Sequence, residues 1–279
     1  MAIEVTHRAV TEPSATAWLR LRLAFGKLAT GRSSGLLLVL MLLAFWEVSA
    51  RLHWVNSQSW PSFTAVLAAT WRGLASGELS GILASSLKRM FAGYFIGSGI
   101  GVVVGLLLGR VRMLDRLVTP VTEALRPLPI PAIVPPLILF LGLDDALKIF
   151  VVGFSVFFPV LVSTVGGVRS IDEVLLSTAN TFGTSRLRVL TRVVLPAAAP
   201  AILAGLRIAL PLALITTVVA EMIAGSAGIG YYIVLTQYSL RPDEMYAAVL
   251  CLAVVGYLLN RGFLFMERRI LHWYVEKPR

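Results

Sequence analysis

Three histidines and a single cysteine are the first candidates for catalysis or metal binding, and their spacing supports neither. His7, His53 and His272 are far apart, and none pairs with a cysteine or a carboxylate at metal-site spacing. Cys251 lies inside an apolar run, where a free thiol is ordinarily a small buried hydrophobe. The sequence also has no GxxxxGK[ST] phosphate loop and no dinucleotide loop. We therefore predict no catalytic residue, no metal site and no cofactor bound by this chain.

Glu221 is a better candidate, for solute recognition rather than catalysis. It follows Thr216 and Thr217 near the end of an apolar run that is long enough to cross a membrane. Ionisable residues at membrane depth are functional hypotheses by default, although Glu221 could equally be a solvated residue at the outer rim. Arg126 and Arg207 lie near the ends of two such runs. We interpret them as interfacial anchors or as partners of loops.

A proline-rich stretch, residues 126–136, interrupts another apolar run. Each proline removes a backbone donor and clashes with the preceding turn, so the broken backbone has to be buried in protein or line a watery path. Discontinuous helices at membrane depth form substrate sites in transporters; the alternative is a kink at the membrane interface. The predicted substrate-pathway residues are Pro127, Pro129, Pro131, Pro135, Thr216, Thr217 and Glu221.

The composition indicates that lipid is the solvent for much of the surface. Of the 279 residues, 57% are hydrophobic and 14% are charged, against about 25% charged in soluble domains. The formal net charge is +10, but lysines and arginines lie between apolar runs, and no basic stretch is interleaved with aromatics for base stacking. We therefore predict an all-α integral membrane protein that does not bind nucleic acid.

Six apolar runs approach the roughly 20 residues that a spanning helix needs. Lysines and arginines are concentrated in alternate loops and at both ends, which places both termini in the cytoplasm. Lys88 and Arg89 lie at the outer end of the second run, and we expect them to extend to the lipid headgroups. The predicted spans are 35–52, 90–108, 117–141, 149–168, 202–220 and 245–265.

These spans define one membrane domain with two tails. We expect a cytoplasmic tail over residues 1–33, a transmembrane domain over 34–273 and a C-terminal tail over 274–279. Residues 61–79 are too polar to cross the membrane, but their apolar residues recur at helical spacing. They predict a short helix at or near the outer surface.

The second run has a glycine at every fourth position. On a helix these glycines form a groove into which another helix can press closely. The groove indicates packing, either within this chain or against another subunit. The predicted helix-packing residues are Gly93, Gly97, Gly101, Gly105 and Gly109.

The cytoplasmic loop over residues 170–200 carries the pattern of two short helices. Ser170 and Glu173 have the spacing of a capping box, which predicts a helix from there to about Thr181. Gly183 then provides the left-handed residue that ends helices. A rigid projection without catalytic chemistry is suited to a groove in a partner protein.

The second of these helices is predicted over residues 186–194. Thr184 or Ser185 can cap its start, and Leu195-Pro196 is expected to end it. The DNA-binding version of a helix–turn–helix is implausible for a loop held against a membrane.

This loop resembles the EAA loop of ABC importer permeases, whose pattern is EAA, three residues, Gly, nine residues and I-x-L-P. Gly183 and the Leu195-Pro196 pair match the pattern. Ser177, Thr178 and Ala179 occupy the triplet, so a serine stands in place of the glutamate that the family uses.

More of the chain resembles the nitrate, sulfonate, taurine and bicarbonate branch of these permeases. The resemblance covers roughly residues 35–273 and does not identify the solute. The stretches that carry it include Arg126-Pro-Leu-Pro, Gly166-Gly-Val-Arg169, Gly205-Leu-Arg-Ile208, Glu221-Met and Gly228-Ile-Gly-Tyr231.

The resemblance implies a type I ABC importer permease in a bacterial inner membrane. Two such subunits, most simply a homodimer, would form the pathway within the lipid. Two cytoplasmic ABC ATPases would hold ATP and Mg, and a periplasmic or lipid-anchored binding protein would deliver the solute. The implied ATPase-coupling residues are Asp172, Glu173, Ser177, Thr178, Ala179, Thr181, Phe182, Gly183, Thr184, Ser185, Arg186, Leu195 and Pro196.

Two other classes stay open at the level of sequence. An ion-coupled secondary transporter would need buried ionisable groups with partners in the spans, and the spans offer few. A structural membrane subunit would need neither the proline-broken span nor the projecting loop. Dependence of uptake on a separate ATPase would separate the importer from both.

Overall fold

The computed structural model describes residues 32–54 and 59–273, and every regular element among them is helical. The predicted tail over 274–279 and nearly all of that over 1–33 lie outside these residues. The helices are α1 Arg32–Arg51, α2 Phe63–Ala75, α3 Glu78–Arg110, α4 Arg112–Leu125, α5 Ile130–Leu141, α6 Asp145–Arg169, α7 Glu173–Thr181, α8 Arg186–Val189, α9 Leu195–Ala224, α10 Ile229–Tyr238 and α11 Pro242–Ile270.

The chain divides into two units at Thr64. In the first unit, the Trp46 ring of α1 packs against Trp60 and Phe63, with ring centroids 5.7 and 5.4 Å apart. The Glu47 carboxylate accepts hydrogen bonds from the Thr64 backbone N–H and hydroxyl, at 3.0 and 2.9 Å. Aromatic packing and one carboxylate thus hold Trp60, Phe63 and Thr64 against the end of α1.

The described residues contain fewer clear spans than the six predicted. Four helices, α3, α6, α9 with its N-terminal extension, and α11, are long and apolar enough to cross a membrane. A fifth crossing results if the bent pair α4–α5 counts as one span. The predicted first span is helical as α1 but is not among these four, so six spans are not confirmed. The short helix predicted within 61–79 is confirmed as α2.

Helices α3 and α6 run parallel and pack along the predicted glycine groove. A methyl group added at Gly105 would lie 2.6 Å from Thr164 Cβ, and one at Gly109 would lie 2.6 Å from Val168 Cβ. Gly97 meets the backbone of Gly153 directly, with no room for any side chain. The stripe therefore serves packing within this chain, one of the two predicted roles. The hydrophobic core continues onto α9 through Val156, Val160, Ala209, Leu210 and Ala213.

The proline-rich stretch breaks the third predicted span, as expected. Helix α4 ends at Leu125, α5 begins at Ile130, and the two axes differ by 101°. Pro127 and Pro129 lie in the break, whereas Pro131 is within the first turn of α5, where a missing N–H costs little.

The prediction that Leu195-Pro196 ends a helix is wrong. Helix α8 continues through a π-helical turn, Leu190–Val194, into α9, so that residues 186–224 form one helical run. The Leu195 N–H donates to the Leu190 carbonyl, five residues back. This wide turn places Pro196 among the first residues of α9, where its missing donor is tolerated.

Candidate functional site

The loop over residues 170–200 folds as two helices around a left-handed glycine. Gly183 has a φ of +65°, and the Thr184 N–H donates to the Ala179 carbonyl at 3.2 Å. This bond across the end of α7 is the Schellman arrangement. The predicted role of Gly183 is therefore confirmed, and α7 meets α8 at a fixed turn.

The cap of α7 differs from the prediction. The Asp172 carboxylate accepts from the Val174 N–H at 2.8 Å, whereas the Ser170 hydroxyl donates to the Gly167 carbonyl of α6 at 2.9 Å. The capping box between Ser170 and Glu173 is wrong because Ser170 still belongs to the end of α6. Of the two residues predicted to start α8, Ser185 holds the cap position, with no side-chain cap bond.

One side of this loop is packed and the other is open. Ala179 is half-buried beside Leu176, Leu190 and Val193, in a core that includes the fully buried Val194. The remaining predicted coupling residues lie on the open side, except for half-buried Thr184. Phe182 and Leu187 are 82% and 71% exposed there. The loop thus combines a rigid base on α6 and α9 with an exposed apolar surface.

A network of charged side chains lies at the opposite end of the same helices. The Arg89 guanidinium of α3 donates to Glu221 Oε1 at 3.0 Å and to Asp145 Oδ1 at 2.5 Å. The Lys148 ammonium, 2% exposed, lies 3.8 Å from the same Asp145 oxygen. The two cations and two carboxylates balance in charge, and the Asp145 side chain, 61% exposed, leaves one end of the network open.

Glu221 is the centre of this network. Its side chain is fully buried, and Oε2 accepts from the Ser86 hydroxyl at 2.8 Å and from the Gly230 N–H at 3.0 Å. The interpretation as a solvated rim residue is therefore wrong. Thr216 and Thr217 are buried as well, so the place of all three in a solute pathway stays a prediction.

The glycine-rich segment after α9 closes over this carboxylate. A side chain at Gly228 would collide with the Glu221 carboxyl group, and Gly228 has a φ of +112°. A side chain at Gly230 would lie 2.8 Å from Glu221 Cβ. These glycines are thus required at their positions by close approach to Glu221.

Arg89 and Lys148 are the residues that the sequence interpretation missed. The prediction that Arg89 extends to the headgroups is wrong. Its guanidinium pairs instead with the buried Glu221, which lies 132 residues further along the chain. The sequence did contain a signal for a functional or structural role of both residues. Arg89 and Lys148 each lie among apolar residues at one end of a predicted span. Their pairing depends on the packing of α3 against α9.

A cleft with a mixed polar and apolar lining follows α4 from the loop end of the molecule towards its middle. It encloses about 320 Å³ and is lined by Asp115, Thr119, Thr122, Glu123 and Arg126 of α4 and by the second half of α6. Arg169 donates to Asp115 at 2.6 Å at the loop end of the cleft.

A second cavity meets the first at the break between α4 and α5. It encloses about 310 Å³ and is lined by Leu128, Ile130, Phe154, Ser155, Pro159 and Leu212, together with Arg126 and Phe158, which also line the first cavity. The predicted pathway residues Pro127, Pro129, Pro131 and Pro135 are exposed beside it. The broken span therefore borders open space, which agrees with the expectation for broken backbone.

The prediction for Arg207 as a loop or anchoring residue agrees with its position. Its guanidinium lies 3.9 Å from Glu267 near the end of α11. Arg126, in contrast, lines cavities beside Phe158, near the centre of α6, and its interpretation as an anchor or loop partner stays a prediction.

No group of three or more histidine, cysteine, aspartate or glutamate side chains in residues 32–54 and 59–273 has the geometry of a metal site.

Residues 97–272 match the family described as "Binding-protein-dependent transport system inner membrane component". The chain is 37% identical over 232 residues to the "Putative aliphatic sulfonates transport permease protein SsuC" of Escherichia coli K12, covering 83% of this chain and 88% of that one. It is 32% identical over 241 residues to the taurine transport system permease protein TauC of the same organism, covering 85% and 88%.

The fold is also similar to a solved transporter structure. Inward-facing MetNI, a methionine ABC transporter, matches 69% of this chain and 95% of its own chain, with a TM-score of 0.62 and 19% identity. At that identity the likeness concerns the fold alone.

Proposed function

The chain belongs to the family of binding-protein-dependent transport system inner membrane components, and on that premise we propose that it forms the solute pathway of an importer for small sulfonates. It is an ABC importer permease and not an enzyme. In the proposed assembly, two copies lie side by side in a bacterial inner membrane. Two separate ATPases hold ATP and Mg, and a binding protein outside the membrane delivers the solute.

The observation that carries the coupling proposal is the exposed apolar surface of the loop around Gly183. An exposed apolar patch on a rigid support is typical of a protein interface. Phe182 and Leu187 would enter the groove of the ATPase, while Asp172 and Gly183 hold the two helices in shape. Ser177 occupies the position of the family glutamate, so the proposed contact relies on apolar packing there.

The proposed solute class rests on the similarity to the sulfonate and taurine permeases. A small sulfonate has a compact anionic head and a short apolar chain. An ion-coupled secondary transporter is less well supported, because the buried Arg89, Lys148 and Glu221 are already held in ion pairs within the chain. Such a transporter would also need no exposed docking loop.

Co-purification with the co-expressed ATPase tests the coupling site. Phe182→Ala removes an exposed side chain and leaves the fold intact, so we expect loss of the ATPase from an inserted, folded permease. Gly183→Val forces a β-branched residue into a left-handed conformation and should also lose it. Gly183→Asn is the matched control, since asparagine tolerates that conformation.

Uptake in proteoliposomes tests the transport proposal. We expect accumulation of taurine or ethanesulfonate that requires the permease, the binding protein, the ATPase and ATP together. Uptake without the ATPase would favour a secondary transporter. Full retention of the ATPase by both Phe182→Ala and Gly183→Val would show that the loop is not the docking site.

A further inference from the structure

We propose that Arg126, at the break between α4 and α5, binds the anionic head of the solute at the middle of the membrane. This inference rests on the proposed function and adds to it a recognition residue. It follows from the depth of Arg126, its lack of a carboxylate partner and the composition of the cavities that it joins.

The depth follows from two lengths along helices, both measured from the Asp115–Arg169 ion pair. Asp115 pairs with Arg169 at the loop end of α6, and Arg126 lies eleven residues further along α4, which is about 16 Å at 1.5 Å per residue. Its cavity neighbour Phe158 lies eleven residues before Arg169 on α6, the same distance back from that end. A bilayer core is about 30 Å thick, so Arg126 lies near its centre.

A charge at this depth is costly unless something pairs with it. Within residues 32–54 and 59–273, the ion pairs do not include Arg126, whereas Arg89, Lys148 and Arg207 each have a carboxylate partner. Arg126 is exposed to the two cavities. An anion that enters either cavity would therefore supply the missing partner.

The second cavity suits a small sulfonate in size and lining. Phe154, Phe158, Pro159 and Leu212 offer apolar contacts to a short chain. The guanidinium offers parallel N–H donors to two sulfonate oxygens, the geometry in which arginine binds such groups. Helix α5 begins at Ile130 in the same lining, and the N-terminal end of a helix adds partial positive charge.

The acidic residues favour this cavity over the first. Glu123 lines the first cavity together with the paired Asp115, whereas the lining of the second contains no carboxylate. An anion therefore binds more favourably in the second cavity, on the side of Arg126 that faces away from the loop end. Lipid headgroups do not reach this depth, so the solute is the expected anion.

The test is uptake of radiolabelled ethanesulfonate by the complete assembly in proteoliposomes, comparing Arg126→Gln, Arg126→Lys and Arg116→Gln. We expect Arg126→Gln to lower the maximal rate about tenfold or more, because it removes a charge-assisted hydrogen bond to the anionic head. Arg126→Lys keeps the charge and should retain more of the rate. Arg116 lies on the same helix, outside both cavities, so Arg116→Gln should transport at the wild-type rate.

Each result leads to a different conclusion. Wild-type rates for Arg126→Gln, in an assembly that keeps its ATPase, would overturn the role of Arg126 and leave the proposed function standing. Equal losses in Arg126→Lys and Arg126→Gln would support a geometric requirement for the guanidinium fork. Absence of uptake by the wild-type assembly would overturn both the sulfonate importer and this recognition residue.

Discussion

At the scale of single residues, a group of paired charges contrasts with Arg126, which has no ion-pair partner among the described residues. Arg89, Asp145, Lys148 and Glu221 balance one another within hydrogen-bonding or ion-pair distance. The paired group fixes where α3, α6 and α9 meet. Arg126 has no such partner, so its charge is left for a ligand.

The paired group predicts a specific double-mutant result. Arg89→Met or Glu221→Met alone leaves an uncompensated charge in the protein and should destabilise the fold by about 3–5 kcal/mol. The double variant removes both charges and should recover much of that loss. Chemical unfolding of the purified proteins in detergent measures all three.

Additive losses in the double variant would contradict this prediction. They would mean that each residue acts through separate contacts, such as Arg89 with Asp145 alone. The cycle isolates the Arg89–Glu221 term when neither methionine forms new contacts, because the other partners of each residue cancel in the difference.

At the scale of helices, the glycine stripe of α3 decides how closely α6 can approach. Gly97 faces the backbone of Gly153, which cannot move aside as a flexible side chain can. Gly99 is on the same helix with no atom within 4 Å of an added Cβ. The two positions therefore form a matched pair.

Gly97→Ala should destabilise the protein and Gly99→Ala should not. Overpacking costs about 1–3 kcal/mol, whereas alanine in place of glycine in a helix gains up to about 1 kcal/mol. Thermal unfolding in detergent distinguishes the two variants. Equal unfolding temperatures would show that the close α3–α6 contact is not present in the folded protein.

Local sequence patterns predicted the elements that depend on neighbouring residues. The glycine spacing, the proline break and the left-handed Gly183 are all set by residues within a few positions of one another. The prediction that Leu195-Pro196 ends a helix failed because the π-helical turn before it places Pro196 in the first turn of α9. Rules based on neighbouring residues describe proline only in a regular helix.

The candidate site was harder to predict because its residues meet only after packing. The partners Arg89 and Glu221 are 132 residues apart, and the depth of Arg126 follows from the alignment of α4 with α6. Neither fact has a local signal in the sequence. The pathway residues Thr216, Thr217 and Glu221 were assigned from their position in a span, which does not reveal the face that they occupy.

At the scale of the whole molecule, the predicted topology can be tested at two ends of the same helices. In a Cys251→Ala background, Thr191→Cys places a thiol on the loop and Ser239→Cys places one before α11, and both positions are exposed. An impermeant maleimide should label Ser239→Cys in intact right-side-out vesicles and Thr191→Cys only after permeabilisation. The reverse pattern would invert the predicted orientation.

The unbroken helical run over 186–224 has a mechanical consequence. Val194 and Ala198 are both fully buried in this run; the segment before Val194 is about 12 Å long and the segment beyond Ala198 is about 39 Å. With these two buried residues as the fulcrum, the run is a lever with unequal arms. A displacement of about 1 Å at the loop then becomes about 3 Å near Glu221, in the opposite direction. In the proposed assembly, two copies drawn together at their loops would part at their far ends by about three times the displacement at the loops.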